Sequence, residues 1–131
     1  MNNGKYSIAI IDDETEILNV LSRSLSRNPD FSVTTYSNPV TALSALSNSK
    51  ADLVLLDIMM PQMNGLEVLE KLKAKDLEQK VIMMTAYSTL DKVLKSHKEG
   101  ATNYVMKPFD SLQALEKKIL EDIISLILSL K

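Results

Sequence analysis

The sequence predicts a single α/β domain, residues 1–131, built on an open parallel sheet with helices on both faces. Short apolar runs alternate with segments whose apolar residues recur at helical spacing, and this βα pattern repeats five times. The apolar runs lack polar alternation, which is typical of parallel strands whose two faces are both covered. Right-handed crossovers and short connections would then place all the strands in one sheet.

Four of the predicted strands end at residues that can bind a metal or a phosphoryl group. These strands and the residues that follow them are Ser7–Ile11 before Asp12-Asp13, Leu53–Leu56 before Asp57, Val81–Met84 before Thr85, and Asn103–Met106 before Lys107-Pro108. Open parallel α/β sheets place their sites at the carboxyl edge of the strands. We therefore expect three carboxylates, a hydroxyl and an ammonium group to meet in one crevice.

Helical spacing and capping residues separate the strands. The apolar positions of the first four predicted helices are Ile17, Leu18, Leu21 and Leu25, then Val40, Leu43 and Leu46, then Leu66, Val68, Leu69 and Leu72, and finally Leu90, Val93 and Leu94. Asp13 and Glu16 can form an acidic capping box for the first helix. Asn38-Pro39 predicts an N-cap followed by proline at the first helical position, and Gly100 lies where the fourth helix needs a left-handed residue to end.

Composition excludes several classes of function. The 131 residues carry a formal charge of −2, with Lys and Arg mixed among the acids, so we expect no direct nucleic-acid binding by this domain. The absence of cysteine excludes disulfides and thiol catalysis. Because the sequence shows no signal peptide and no apolar stretch of about 18 residues, we expect a cytoplasmic protein with no membrane contact.

The acids at the predicted strand ends need a cation. Two carboxylates about 4 Å apart repel by roughly 4 kcal/mol at an effective dielectric constant near 20, so Asp12, Asp13 and Asp57 would be unfavourable together. Mg²⁺ is a hard ion that takes one or two carboxylates and shares its other positions with water and phosphate. A carboxylate beside it can act as a nucleophile, and Lys107 and Thr85 could contact two phosphoryl oxygens. These residues predict phosphorylation of Asp57.

Each residue also has an ordinary structural explanation. Asp12 and Asp13 could cap the first helix, Asp57 could cap a loop, and Lys107 could be a solvated lysine at a strand end. Their joint occurrence at successive strand ends favours the functional hypothesis. His97, the single histidine, lies at the edge of the fourth helix's apolar stripe, which predicts packing.

The motifs that carry this hypothesis are Asp12-Asp13, the stretch Leu55–Gly65, Thr85-Ala86 and Tyr104–Phe109. Together they resemble the receiver domain of bacterial two-component response regulators, and the resemblance extends from Tyr6 to the last helix. It implies a flavodoxin-like (βα)5 sheet of strand order 2-1-3-4-5 with five flanking helices. It also implies that a sensor histidine kinase donates a phosphoryl group to Asp57.

The resemblance assigns the metal ligands. It implies Mg²⁺ on Asp13, Asp57 and the main-chain carbonyl of Met59, with Asp12 acting through water. In such domains the Lys107-Pro108 bond is usually cis, which proline makes accessible.

The resemblance also implies a switch. The hydroxyl of Thr85 would move toward the phosphoryl group, and the ring of Tyr104 would rotate inward to fill the space. This reshapes the face formed by the predicted fourth helix, fifth strand and fifth helix, because one new dianionic group biases a two-state packing element.

Two positions depart from many relatives. Met59 lies two residues after Asp57 and Tyr87 lies two residues after Thr85, where polar or acidic residues are frequent in the family. Bulky side chains over an acyl phosphate could restrict the attacking water. We therefore expect a comparatively long-lived phosphoryl group on Asp57.

The last predicted helix, residues 111–131, is longer and more apolar than the sheet requires. It would span about 30 Å, whereas a five-residue strand spans about 17 Å. Its apolar side chains cover roughly 200° of the helix, although about 100° suffices to bury one face. The surplus predicts a second copy of the helix in a homodimer. Whether the helix leads to an output domain or ends a single-domain regulator is left open by the sequence.

Two other classes of function fit less well than a signalling switch with self-catalysed phosphotransfer. Phosphohydrolases of the haloacid-dehalogenase type normally carry a second Asp two residues after the nucleophile, where this chain has Met59. A flavin or nucleotide binder on the same fold would need a Gly-rich or Ser/Thr-rich phosphate loop after the first strand. The acids Asp12, Asp13 and Glu14 occupy that place instead.

Overall fold

The computed structural model describes residues 5–86, Gly100, residues 103–107, Lys117 and Glu121. The strands are β1 (Tyr6–Ile11), β2 (Phe31–Tyr36), β3 (Leu53–Asp57), β4 (Lys80–Ala86) and β5 (Asn103–Lys107). The helices are α1 (Thr15–Leu25), α2 (Pro39–Asn48) and α3 (Gly65–Lys75). All neighbouring strands are parallel and their order is β2-β1-β3-β4-β5, so the predicted flavodoxin-like fold is confirmed.

Several predictions concern residues outside this description. They are the fourth helix with His97, Tyr87, the Lys107-Pro108 bond, and the last helix, residues 111–131, with its dimer and output-domain alternatives. Within the last helix, Lys117 and Glu121 are helical and exposed. None of the helices in the described part of the chain has the length and apolar character needed to span a bilayer.

The sheet has a hydrophobic core on each face, which explains why β1, β3 and β4 are mostly apolar. One core joins alternate strand residues to α2 and α3, and its members include Ala9, Ile11, Val54, Leu56, Val81, Met83, Ala42, Leu46, Val68, Leu69 and Leu72. The other joins the intervening strand residues to α1, and its members include Ile8, Ile10, Leu53, Leu55, Ile82, Met84, Leu18, Leu21 and Leu25. Both faces of β1, β3 and β4 are therefore covered.

The N-cap predicted for α2 is confirmed, whereas the one predicted for α1 is wrong. Asn38 caps α2, because its side-chain oxygen accepts a hydrogen bond from the Val40 N–H at 2.8 Å and Pro39 follows it. The capping box predicted for α1 from Asp13 and Glu16 is wrong. The N-cap is Glu14, whose side chain caps no backbone N–H, so α1 begins one residue later than a capping box would require.

Gly100 adopts the left-handed conformation that the sequence predicts, with φ of 101°. A Cβ atom there would lie 2.8 Å from Cε of Lys73. The Lys73 ammonium donates hydrogen bonds to the carbonyl oxygens of Leu77, at 2.6 Å, and Gln79, at 3.1 Å. Burial, with a smaller contribution from the nearby Lys80 charge, lowers the pKa of Lys73. Gly100 thus lies against a side chain that is itself tied to the turn between α3 and β4.

Replacing Gly100 with alanine is expected to lower the free energy of unfolding by about 1–2 kcal/mol, because a Cβ atom is unfavourable at a left-handed φ. Urea unfolding followed by circular dichroism measures the change. Gly100→Asn is the matched control, since asparagine tolerates this conformation better and should lose less stability. Equal stability of all three proteins would contradict the conformational argument.

Candidate functional site

Three carboxylates converge where β1 and β3 end. Ile11 pairs with Leu56, so the residues that follow them, Asp12 and Asp57, lie beside each other at the carboxyl edge. One carboxylate oxygen of each of Asp12, Asp13 and Asp57 lies within 4.8 Å of those of the other two. Asp12 is fully buried, Asp57 is 4% exposed, and Asp13 is half-buried. The structure therefore brings together the three acids that the sequence predicts to meet.

Asp12 is held by the main chain on both sides. Its N–H donates a hydrogen bond to the carbonyl oxygen of Tyr36 at 3.1 Å, which extends the contact between β1 and β2 past the last strand residue. Its Oδ1 atom accepts a hydrogen bond from the Glu14 N–H at 2.9 Å. Asp12 thus directs the chain from β1 into α1, while its carboxylate stays beside the other two acids. The contact with Tyr36 depends on strand register, and no local sequence signal predicts it.

Asp57 is positioned by a strand that is buried along its whole length. All five residues of β3 are buried, and β3 has β1 on one side and β4 on the other. Asp57 pairs with Met84, and the N–H of Ile58 donates a hydrogen bond to the Met84 carbonyl oxygen at 3.1 Å. Because the β3 main chain is fixed from two sides, the Asp57 carboxylate leaves the sheet at a defined place.

The loop after β3 folds back onto Asp57, and Gly65 allows this close approach. The Gly65 N–H donates a hydrogen bond to the Ile58 carbonyl oxygen at 2.8 Å. A Cβ atom on Gly65 would lie 2.6 Å from Cα of Ile58 and would collide with the main-chain oxygen of Asp57. Both are backbone atoms, so no side chain can move aside. The property of Gly65 that matters here is its missing side chain.

The charges at this edge favour a cation. Two carboxylates about 4 Å apart repel by roughly 4 kcal/mol at an effective dielectric constant near 20, and burial of two of the three acids strengthens the effect. Carboxylate oxygens are the ligands that hard divalent cations such as Mg²⁺ and Ca²⁺ prefer. The cluster of Asp12, Asp13 and Asp57 could therefore hold a metal ion.

The backbone places the other predicted site residues near the same edge. β4 continues through Thr85, which pairs with Met106, and Lys107 is the last residue of β5, opposite Ala86. Thr85 directly follows Met84, the partner of Asp57 in the sheet. The side chains of Thr85 and Lys107 lie outside the described part of the structure.

The predicted switch residue Tyr104 lies in β5 and pairs with Met83. Met83 is two residues before Thr85, so one pleat period separates the two predicted switch positions along neighbouring strands. The Tyr104 side chain also lies outside the described part of the structure.

A comparison with protein families agrees with this arrangement. The response regulator receiver domain family matches residues 8–120, which is most of the chain. The chain belongs to this family. Receiver domains are signalling modules of two-component systems rather than metabolic enzymes, so the predicted resemblance is confirmed.

Individual relatives differ in length. The DNA-binding transcriptional regulator NtrC of Escherichia coli K12 is 38% identical over 106 residues, which cover 81% of this chain and 22% of NtrC. The chain thus spans about a fifth of the length of the NtrC relatives that it matches. The chemotaxis protein CheY of Listeria monocytogenes is 36% identical over 112 residues, which cover 82% of this chain and 94% of CheY.

Solved receiver domains have the same fold. The response regulator receiver domain protein (CheY-like) of Methanospirillum hungatei JF-1 superposes with a TM-score of 0.86 at 32% sequence identity. The superposition covers 92% of this chain and 95% of that protein's chain.

Gly65→Ala is expected to lower the free energy of unfolding by about 1–3 kcal/mol, the usual range for forcing extra atoms into a packed region. The added methyl group meets the backbone at Asp57 and Ile58, so the end of β3 must shift. Urea unfolding measures the loss. Glu70→Ala on the exposed side of α3 is the control and should stay within about 0.5 kcal/mol of the unmodified protein. A Gly65 variant as stable as this control would show that the close approach is not required.

Proposed function

We propose that the chain is a phosphorylation-controlled switch and that Asp57 accepts a phosphoryl group from a sensor histidine kinase. The observation that carries this proposal is the buried carboxylate of Asp57 at the end of β3, with carboxylate oxygens of Asp12 and Asp13 within 4.8 Å of its own. Membership of the receiver family supports the same assignment.

The acid cluster fits Mg²⁺. Asp13 and Asp57 would bind the ion directly together with the main-chain carbonyl oxygen of Met59, and Asp12 would act through water. The hydrogen bond from the Glu14 N–H to Asp12 Oδ1 supports an indirect role for Asp12, because that oxygen is already engaged as a hydrogen-bond acceptor. When bound, Mg²⁺ offsets the carboxylate charges and contacts an oxygen of the incoming phosphoryl group.

Asp57 is the nucleophile in the proposed transfer. A carboxylate oxygen of Asp57 forms a bond to phosphorus while the bond from phosphorus to the imidazole nitrogen of the kinase breaks, and the nitrogen keeps the bonding electrons. Phosphoryl transfer depends mainly on positioning and charge stabilisation. The β3 ladder supplies the position, and Lys107 and Thr85 donate hydrogen bonds to two phosphoryl oxygens.

The switch is proposed to run from Thr85 to Tyr104. Thr85 contacts the phosphoryl group, and Tyr104 responds by rotating inward, which reshapes the face formed by the fourth helix, β5 and the fifth helix. The register of β4 and β5 supports this assignment, because the two positions are one pleat period apart on neighbouring strands. The same face is proposed as the alternative homodimer surface to the last helix.

The chemistry is tested by incubating the protein with acetyl phosphate and Mg²⁺ and measuring its intact mass. We expect the added mass of one phosphoryl group, its absence in Asp57→Asn, and a strong reduction when a chelator replaces Mg²⁺. Asp30→Asn is the matched control, because Asp30 is an exposed acid that precedes β2, at the opposite edge of the sheet from the acid cluster. A phosphoryl group that persists undiminished in Asp57→Asn would refute the assignment.

The role of the last helix, residues 111–131, is proposed from its sequence. The length of NtrC supports a receiver domain that precedes an output domain, whereas the near-complete match to CheY supports a domain that acts alone. In both cases the surplus apolar surface of the helix is proposed to pair with a second copy. We also propose a cytoplasmic location for the chain, in agreement with a sensor kinase as its phosphoryl donor.

Analytical ultracentrifugation tests the dimer. We expect a concentration-dependent dimer that Leu126→Lys and Leu130→Lys each weaken, because a charged side chain in an apolar helix interface is strongly unfavourable. Glu121→Lys is the control, since Glu121 is helical and exposed and should leave the association unchanged. A monomer at every concentration would rule out pairing through this helix.

A further inference from the structure

The loop after β3 places one exposed methionine beside the buried acids. Met59 is 53% exposed, whereas Met60 is 8% exposed and Met63 is half-buried. Met83 and Met84, in β4, are fully buried. Among the methionines whose side chains the structure describes, Met59 is therefore the one that a dissolved oxidant reaches most readily.

Met59 is also close to the proposed phosphorylation site. It follows Asp57 by two residues, so their Cα atoms are at most about 7 Å apart. Ile58, between them, is fully buried and hydrogen-bonded to β4, and Gly65 folds the loop back onto the end of β3. The exposed Met59 side chain thus leaves the main chain within about 7 Å of the Asp57 Cα atom. The main chain of the neighbouring Ile58 is held by hydrogen bonds to Met84 and Gly65.

We propose that Met59 is an oxidation site through which peroxide shortens the lifetime of the phosphoryl group on Asp57. This inference rests on the proposed function. A lone pair of the thioether sulfur attacks one oxygen of hydrogen peroxide, the S–O bond forms and the O–O bond breaks. The sulfur is oxidised to a sulfoxide, the departing oxygen is reduced, and it leaves as water after a proton shift.

The change in polarity explains the effect on the phosphoryl group. A thioether is apolar and a weak hydrogen-bond acceptor, so Met59 favours a poorly hydrated surface beside the acyl phosphate. A sulfoxide is polar and accepts hydrogen bonds from water. The sulfoxide of Met59 would therefore bring water close to the acyl phosphate, where water is the nucleophile for hydrolysis.

Oxidation at this position also leaves the core intact. Met59 makes up part of the protein surface, so the sulfoxide oxygen stays in water. A sulfoxide at Met83 or Met84 would instead bury a polar group without a matching partner in the apolar clusters on the two faces of the sheet. Limited oxidation thus alters the site before it affects the fold.

The first experiment maps the oxidation. The full chain is treated with graded hydrogen peroxide in the presence of a chelator, and each methionine is followed by peptide fragmentation in a mass spectrometer. We expect sulfoxide at Met59 at peroxide concentrations that leave Met60, Met83 and Met84 unmodified. Equal oxidation of Met59 and Met60 would overturn the assignment of a selective site.

The second experiment measures the lifetime. Protein phosphorylated with acetyl phosphate is freed of the reagent, and the loss of phosphoryl mass is followed with and without prior oxidation. We expect a severalfold shorter half-life after oxidation and a return to the original value after treatment with methionine sulfoxide reductase. In Met59→Leu the half-life of the phosphoryl group should no longer respond to peroxide, whereas in Met60→Leu it should respond as in the unmodified protein. Gln at position 59 mimics the polarity of the sulfoxide, so the phosphoryl group of Met59→Gln should have a short half-life without oxidation.

The outcomes separate this inference from the proposed function. If the untreated protein takes no phosphoryl group on Asp57, both are wrong. If it is phosphorylated normally but complete oxidation of Met59 leaves the half-life unchanged, only the oxidation proposal is wrong.

Discussion

The mutual repulsion of Asp12, Asp13 and Asp57 is the constraint on which the site depends. Parallel pairing of β1 with β3 places Asp12 beside Asp57, and their main chains cannot move apart without breaking the ladder in the middle of the sheet. A repulsion of roughly 4 kcal/mol between two such carboxylates is comparable with the whole stability of a small domain, which is about 5–15 kcal/mol. The fold therefore holds an unfavourable arrangement of charges that a bound cation would relieve. Binding of the cation to the folded state alone would then also stabilise the domain.

The two hydrophobic cores make this arrangement possible. β1 and β3 each contribute alternate side chains to both faces of the sheet, so a shift of either strand by one residue would exchange every contact between the two cores. The loss of these buried contacts on a shift fixes the register of the strands, and the register in turn fixes the positions of Asp12 and Asp57. Main-chain hydrogen bonds then extend the order past the strand ends, from Asp12 to Tyr36 and from Ile58 to Met84. The geometry of the site is well defined because its acids lie within one or two residues of the buried strand residues.

The sequence predicts the parts of this structure that depend on local pattern. The strands appear as apolar runs because both of their faces are buried, and the positions of the acids follow from where those runs end. The sequence does not predict where the strands end, because that depends on their pairing in the sheet. β3 includes Asp57, and β4 and β5 continue through Thr85 and Lys107, because partners lie opposite them in the ladder. The capping box expected from Asp13 and Glu16 is wrong although their spacing is suitable, because α1 begins at Thr15 with Glu14 as its N-cap. The need for glycine at position 65 arises from the main chain of Asp57 and Ile58, and spacing along the chain cannot show such a contact.

Burial divides the site into a part that the fold constrains and a part that it leaves free. Asp12 and Asp57 are buried at the end of the core, so substitutions there disturb charge, hydrogen bonding and packing at once. Met59 is on the same edge of the sheet, but it is 53% exposed and belongs to neither of the two buried clusters. In the proposed function the main chain of Met59 supplies a carbonyl oxygen to the metal ion whatever the side chain is, and in the oxidation proposal the side chain sets the polarity near the Asp57 carboxylate. The two proposals assign metal binding to the main-chain carbonyl oxygen and access of water to the side chain, so the chemistry of Met59 could change without a change of fold.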